Sequence, residues 1–349
     1  MFFTEIDYIR CDMNENTTIY DIAKKLGITA ATVSRALNNN PKISQKTKDL
    51  VFKTAKELNY QKNNFALALK SGQSKNIGLI VPYINRNFFS SVIRGVEEEL
   101  YPQGYQTIIC QTHEDEEKEK HIFESLMNNN VDGILISISR DTKNFDHYKK
   151  AKKKNIPIVF FDRKEDIPGI SSVTINDCEG GYYATQHLID AGYKNIINIS
   201  GDLKLGIYKQ RNKGYIQAMK DNGLEEFTKS FVEARSTIEA GKTIAKKLLK
   251  KKHLPDGIFC AGDNIALGVI EELRAKGINI PKEVGVVGFG NEPFTELLEL
   301  SITSVDQSPH QMGTAAAKVL LEQISNPEIT IEKKVVLDSS LIPRMSTKK

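Results

Sequence analysis

The stretch TAATVSRALN, Thr29–Asn38, gathers hydrogen-bonding groups on a segment whose other residues are small. Thr32, Ser34 and Arg35 supply hydroxyl and guanidinium groups suited to phosphate oxygens or base edges. Ala30 and Ala31 are too small to fill a core. A helix lying in a major groove must bring its backbone close to the bases, and small residues at its start permit that approach. An alanine methyl can also meet a thymine methyl. The same composition suits the plain outer face of a three-helix bundle, and spacing alone leaves both readings open.

Nothing comparable points to catalysis. The six histidines show no H-E-x-x-H pattern and no nucleophile–base spacing. Gly285, Gly288 and Gly290 do not open a helix as G-x-G-x-x-G, and no G-x-x-x-x-G-K is present. Cys11, Cys110, Cys178 and Cys260 lie far apart without a C-x-x-C pair. Neither a disulfide framework nor a zinc site is expected, and no cofactor or metal is implied. Buried or incidental thiols in a reducing cytosol are the simplest account.

The elements that must carry the Thr29–Asn38 groups are short helices. Thr18 can cap IYDIAKKL, in which Ile19, Ile22, Ala23 and Leu26 share one side, and Gly27 stops it. Thr29 caps the second helix, where Val33, Ala36 and Leu37 form the inward stripe. Ala30, Ala31, Ser34, Arg35 and Asn38 are left on the other faces, and Pro41 ends the segment. Ser44 caps a third helix with Leu50, Val51, Ala55 and Leu58 apolar. Two short helices separated by so few residues have helix-turn-helix spacing.

Charge divides along the same line. Of the 48 Lys and Arg and 44 Asp and Glu, 12 and 7 fall in residues 1–75, so the whole positive excess sits there. Basicity confined to one small unit suggests a polyanion partner for that unit and another task for the rest. A solvated lysine-rich surface is the plainer alternative. The chain has 349 residues, more than one core serves well, so several folded units are expected. No apolar run approaches the ~18 residues of a membrane span. The opening MFFTEIDYIRCD lacks the pattern of a secretory signal, so a cytoplasmic protein is expected.

From Asn76 onward strands alternate with helices. IGLIVP, YQTIICQ, DGILISIS, IPIVFFD, IINIS, DGIFCAG and VGVVGFG read as strands. Near-continuous apolar strands between amphipathic helices mean parallel sheets covered on both faces. Residues 76–345 exceed one comfortable sheet, so two doubly wound lobes are expected, with ligand bound at strand carboxyl ends in the cleft.

The sequence TTIYDIAKKLGITAATVSRALNNNPKISQKTKDLVFKTAKELNYQKNNFALALKSGQSKNIGLIVP resembles the N-terminus of the lactose/galactose repressor family of bacterial transcription regulators. The likeness continues to about Pro343, and T-[IL]-x-[DE]-[IV]-A followed by [ST]-x-x-T-V-S-R-x-L-N is a specific motif pair. The resemblance implies an N-terminal all-α helix-turn-helix domain (residues 17–60), a hinge helix and linker (61–75) and an α/β two-lobe periplasmic-binding-protein-like domain (76–345). Residues 1–16 are expected to be a disordered extension. By resemblance Ala30 and Ala31 most determine operator sequence, and Arg35 reads a base. Thr18, Tyr20, Thr32, Ser34 and Asn38 match phosphate or base contacts.

The segment NNFALALK has helical propensity but is shorter than the ~12–15 residues a free helix needs. The family's hinge helices order in the minor groove at the operator centre, where an apolar side chain is wedged between base pairs. Leu69 matches that wedge, and Asn63 and Lys70 match flanking contacts. A flexible spacer packing Phe65 and Leu69 on the larger domain is the alternative.

In the effector domain the resemblance implies three chain crossings between lobes, near Val173–Asn176, Thr303–Asp306 and Val335–Asp338. Phe88, after the first strand, can stack on a sugar or base ring, and Asp162 can accept from ligand hydroxyls. Arg211 matches the family's R-x-x-G arginine, which hydrogen-bonds effector. Asp263 is read as a cap for the following helix or a ligand contact, and Gln307 as a cleft residue after a crossing. The family's G-[FY]-D-D is Gly288-Phe289-Gly290-Asn291 here, so Asn291 is the candidate to replace a missing aspartate. Arg86 departs from the family's usual Asn-Pro, either as a solvated arginine or as a seat for an anionic effector.

The expectation is a dimeric repressor that binds pseudo-palindromic double-stranded operator DNA. A small molecule, a sugar or related metabolite, would modulate its affinity. A sugar-binding protein not acting through DNA is the second reading, and an enzyme on the same fold the third.

Overall fold

The computed structural model describes residues 17–61, 73–225, 229–232, 236–328 and 332–349. The chain divides into two units, Met1–Gly72 and Gln73–Lys349.

Among its described residues the first unit has helices α1 (Ile19–Leu26), α2 (Ala30–Leu37) and α3 (Gln45–Glu57). Asp21 closes the start of α1 by accepting from both the amide and the hydroxyl of Thr18, at 2.8 and 2.7 Å. Gly27 ends α1 in the left-handed conformation, φ 63°, which costs a residue without Cβ little. Thr29 then accepts from the Thr32 amide at 3.2 Å and starts α2, so three residues separate the helices. Ile22, Ala23, Val33, Ala36, Val51 and Ala55 form the core. Thr17 Oγ1 donates to the Leu58 carbonyl at 2.8 Å and fastens the beginning of the unit to its end. One expectation changes here. Ala30 is half-buried against the core rather than outward, because the first turn of α2 lies on it. Leu50 is 49% exposed, because Val51, one residue on, takes the inward position.

The second unit contains two six-stranded sheets. In chain order its elements begin β1 (Asn76–Val81), α4 (Asn87–Leu100), β2 (Gln106–Gln111), α5 (Glu116–Asn128), β3 (Gly133–Ile136), α6 (Asp146–Lys153), β4 (Ile158–Phe161) and β5 (Ser171–Ile175). They continue with α7 (Asp177–Asp190), β6 (Ile196–Ser200), α8 (Gly206–Asp221), β7 (Lys229–Val232), α9 (Ile238–Leu249), β8 (Gly257–Cys260), α10 (Asp263–Ala275) and β9 (Gly285–Gly290). The last are α11 (Phe294–Leu297), β10 (Thr303–Asp306), α12 (Pro309–Ser325), β11 (Lys334–Leu337) and β12 (Ser340–Ile342).

The first sheet runs β11-β5-β4-β3-β1-β2 and the second β12-β10-β9-β8-β6-β7. All pairings are parallel except β10 with β12. The order reverses direction between β1 and β3 and again between β6 and β8. Each sheet therefore has a switch point where the following loops diverge and leave a crevice.

The chain leaves the first sheet after β5, returns after β10 and crosses a last time between β11 and β12. These are the three segments that the resemblance implied. One apolar cluster joins the sheets across these crossings, with Phe161 and Val173 on one side and Phe259 and Phe289 on the other. Separate clusters fill the outer faces around Phe160 and Tyr148 and around Ile258 and Val286.

Candidate functional site

The two units present two sites of different chemistry. On the first, α2 exposes Ala31 and Arg35, with Asn38 exposed at its C-cap and Thr32 and Ser34 half-buried beside them. Asn38 donates to the Ser34 carbonyl at 2.9 Å. Tyr20 on α1 is 71% exposed, and Thr18 at its start is exposed as well. The face is thus a short helix with small residues at its beginning, an exposed guanidinium and hydroxyls around it. That arrangement fits a groove and its phosphates. Asn63, Leu69 and Lys70 lie outside the described residues.

The second site is a cavity of about 610 Å³ at the carboxyl ends of strands from both sheets. Phe88, Asp162, Arg211, Asp263 and Gln307 all line it. Arg211, on α8, is 4% exposed. Its Nε donates to Asp177 Oδ1 at 2.7 Å, Nη1 to the Ala261 carbonyl at 2.9 Å and Nη2 to Gln307 Oε1 at 3.0 Å. Its guanidinium carbon stands 3.7 Å from the centre of the Phe289 ring, so a stacked aromatic fixes its plane. Burial raises the Asp177 carboxyl pKa, and the opposing pull of Arg211 does not fully offset it.

Asp162 follows β4 with a left-handed φ of 59°. Its Oδ2 accepts from Ser137 Oγ at 3.3 Å, and Arg163 Nε stands 3.8 Å away. Burial pushes its carboxyl up to about 6, against the lowering charges of Arg163 and Arg211. Asp263 likewise rises to about 6, again by burial, against hydrogen bonds from Ser304 and from the Glu292 amide. The bonds measure 2.6 Å from Ser304 Oγ and 2.8 Å from the Glu292 N–H.

Of the two readings of Asp263 the geometry excludes one, and the expectation for Asn291 is corrected. Asp263 is the first residue of α10 and Gly262 is its N-cap, with no side-chain cap bond. The aspartate therefore faces the cavity instead of capping the helix. Asn291 does not line the cavity, although Gly290 and Glu292 on either side do. Its φ of 50° turns the side chain toward the C-terminal segment, where its oxygen accepts from Arg344 Nη2 at 2.8 Å.

Several cavity residues went unnoticed in the sequence. Glu114, left-handed at φ 66°, accepts from Arg163 Nη1 with both oxygens, at 2.8 and 3.0 Å. It also accepts from the Arg140 amide at 2.7 Å. His113, Tyr208, Ser236 and Glu292 join it. Apart from Tyr208, on α8, they follow strand ends, so the strand pattern was the available signal, and Arg163 stands directly beside Asp162. Among the described residues no cluster of His, Cys, Asp and Glu could hold a metal ion, and no helix is long and apolar enough to cross a membrane.

Comparison with known proteins matches both units. Residues 18–63 fit the model of bacterial regulatory proteins, lacI family, and residues 74–349 that of periplasmic binding proteins and the sugar binding domain of the LacI family. Catabolite control protein A of Priestia megaterium is 33% identical over 334 residues, covering 95% of this chain and all of the relative. The HTH-type transcriptional repressor PurR of Actinobacillus pleuropneumoniae is 33% identical over 307 residues, covering 88% of this chain and 91% of its own. The lac repressor dimer bound to operator and the anti-inducer ONPF shares the fold, with a TM-score of 0.84 at 21% identity over 95% of this chain and 99% of that one. The helix-turn-helix unit, the two-sheet unit and the match of each to the same family's model agree: the chain belongs to the LacI family of bacterial regulatory proteins.

Proposed function

We propose that this protein is a ligand-responsive transcriptional repressor that binds a pseudo-palindromic operator as a homodimer in the cytoplasm. A sugar or related metabolite in the cleft sets its affinity. The observation that carries the reading is the pairing, on one chain, of an exposed small-residue helix on a basic unit with a polar cleft built at two sheet switch points. Ala30 and Ala31 select the operator sequence, Ala30 from the edge of the core. Arg35 contacts a base, and Thr18, Tyr20, Thr32, Ser34 and Asn38 hold phosphates and base edges. Asn63, Leu69 and Lys70 are assigned to the operator centre from the sequence.

In the cleft, Phe88 covers one face of the effector. Asp162 and Asp263 accept from its hydroxyls, while Arg211 and Gln307 donate to it. An effector shifts the protein between states only through unequal affinity for them. The cleft meets that condition because its walls come from both sheets, so a change in their separation changes every contact. A sugar-binding role without DNA leaves the exposed face of α2 unexplained. The test is selection of duplexes from a random pool by the full-length protein. A two-fold symmetric site is expected, and Ala31→Gln should return a different half-site. Recovery of no preferred sequence by the unaltered chain would remove the DNA reading.

A further inference from the structure

We propose that Arg86 and Glu292 form an ion pair across the mouth of the cleft when the two lobes close. Arg86 is the N-cap of α4 in the first lobe, Glu292 follows β9 in the second, and both line the same cavity. The other arginines of the cavity are already held: Arg140 by Asp141 at 3.0 Å, Arg163 by Glu114 at 2.8 Å and Arg211 by Asp177 at 2.7 Å. Among the described residues neither Arg86 nor Glu292 has an ion-pair partner within 4.0 Å. They are two unlike charges, each without a mate, on opposite walls.

Both are presented from fixed backbone. The Arg86 carbonyl accepts from the Ser90 amide at 3.0 Å in the first turn of α4. The Glu292 amide is held by Asp263 at 2.8 Å, and its carbonyl accepts from the Thr295 amide at 2.8 Å and from Thr295 Oγ1 at 2.7 Å. The guanidinium already leans across the cleft, with Nη1 donating at a long 3.5 Å to the carbonyl of Ser236, just ahead of α9. Glu292 senses it too. Burial and then Asp263 push the Glu292 carboxyl up, while the charge of Arg86 pulls it down. Both side chains are half-buried, where unlike charges attract more strongly than in open water. Closing replaces a long hydrogen bond to a neutral carbonyl with one between two opposite charges. Lobe closure about short crossing segments is a common route for such a change.

The proposal rests on the effector reading only for what the closed cleft encloses. The pair forms in a closed state that the effector-free protein itself visits, so its test uses no effector: a failure here leaves the effector reading intact, and a misplaced effector site leaves this pair intact. Hydrogen exchange of the full-length protein is followed over residues 84–90 and 290–296. Arg86→Gln and Glu292→Gln should each speed exchange there by ~2–5-fold, the scale of a partly exposed pair. The double variant should be no faster than either single one. The reversed pair, Arg86→Glu with Glu292→Arg, should restore slow exchange. Rates that add independently in the double variant would overturn the pair, as would single variants without effect or a reversed pair faster than all others.

Discussion

Three of the five N–H groups of Arg211 are occupied inside the protein, on Asp177, the Ala261 carbonyl and Gln307. At most one N–H on each terminal nitrogen is left for an effector, so the residue is a strut of the cleft as well as the proposed contact. Arg211→Ala should abolish the response to effector. It should also lower unfolding stability by about 3–5 kcal/mol, because Asp177 stays buried without its partner. Adding Asp177→Asn should recover part of that loss in calorimetric melting, whereas a pure ligand contact would show no such recovery. The cleft carboxylates make a second prediction. Asp162 and Asp263 ordinarily titrate near 3.8 and are raised by burial to about 6 in the folded chain. Between those values the folded state holds the extra proton, so the stability this confers is complete below about 4 and lost as pH rises through about 6. Asp263→Asn should flatten this part of the melting profile. An ionised carboxylate is also the better acceptor. Effector affinity should therefore fall as pH drops through about 6, less so in Asp162→Asn. A profile unchanged by that substitution would remove Asp162 from the contact.

Helix pairs in the second unit meet through reciprocal glycines. A Cβ on Gly214 of α8 would lie 1.9 Å from the Cys178 carbonyl oxygen of α7, and one on Gly181 of α7 would lie 2.2 Å from that of Arg211. Gly95 and Gly313 join α4 to α12 in the same way, and Gly241 and Gly268 join α9 to α10. Since Gly214 is three residues from Arg211, Gly214→Ala should push α8 off α7 and misplace the guanidinium. A cost of about 1–3 kcal/mol and weaker effector binding are expected. Gly206→Ala, on the same helix with no atom in reach, should be neutral or slightly stabilising. The contrast is read by paired melting curves and ligand titrations. The same elements show what the sequence can reveal. Apolar runs such as IGLIVP and IINIS are legible as strands because burial on both faces needs only apolar side chains. SSVTI and TSVD are central strands too, but their buried hydroxyls need partners far along the chain. Ser171 accepts from Gln323 at 2.7 Å, and Ser304 donates to Asp263 at 2.6 Å. No local pattern announces those partners. In the cleft, Asp162 and Asp263 were legible as strand-end carboxylates. Asn291 was misread because its left-handed turn, which sets where the side chain goes, leaves no periodic trace. Glu114 and Glu292 gain their meaning only from residues on other strands.

At the scale of the whole molecule, the positive excess lies in the first 75 residues, 12 basic against 7 acidic, while the remainder is nearly balanced at 36 against 37. Operator affinity should therefore fall steeply with salt, whereas effector affinity should change little. Arg35→Ala should cost about 1–3 kcal/mol and relax selectivity at one position of the half-site, as a base contact does. We assign the joint between the two tasks to the segment 61–75, with Leu69 as the proposed residue on which the coupling turns. A wedge and a tether make opposite predictions for it. Inserting an apolar side chain at a base step unstacks the step and bends the duplex around the protein, so the gain depends on shape and not on charge. Leu69→Ala should then reduce operator affinity by ~1–3 kcal/mol and the bend angle with it. Nonspecific binding, mostly phosphate contact, should change little. Leu69→Lys should lose affinity as well, despite the added positive charge. An electrostatic tether would instead bind more tightly with lysine and leave the bend unchanged. Bend angles from gel mobility of circularly permuted operator fragments, measured beside affinity at two salt concentrations, separate the two. Tighter binding by Leu69→Lys at an unaltered bend would break the proposed link between cleft and operator.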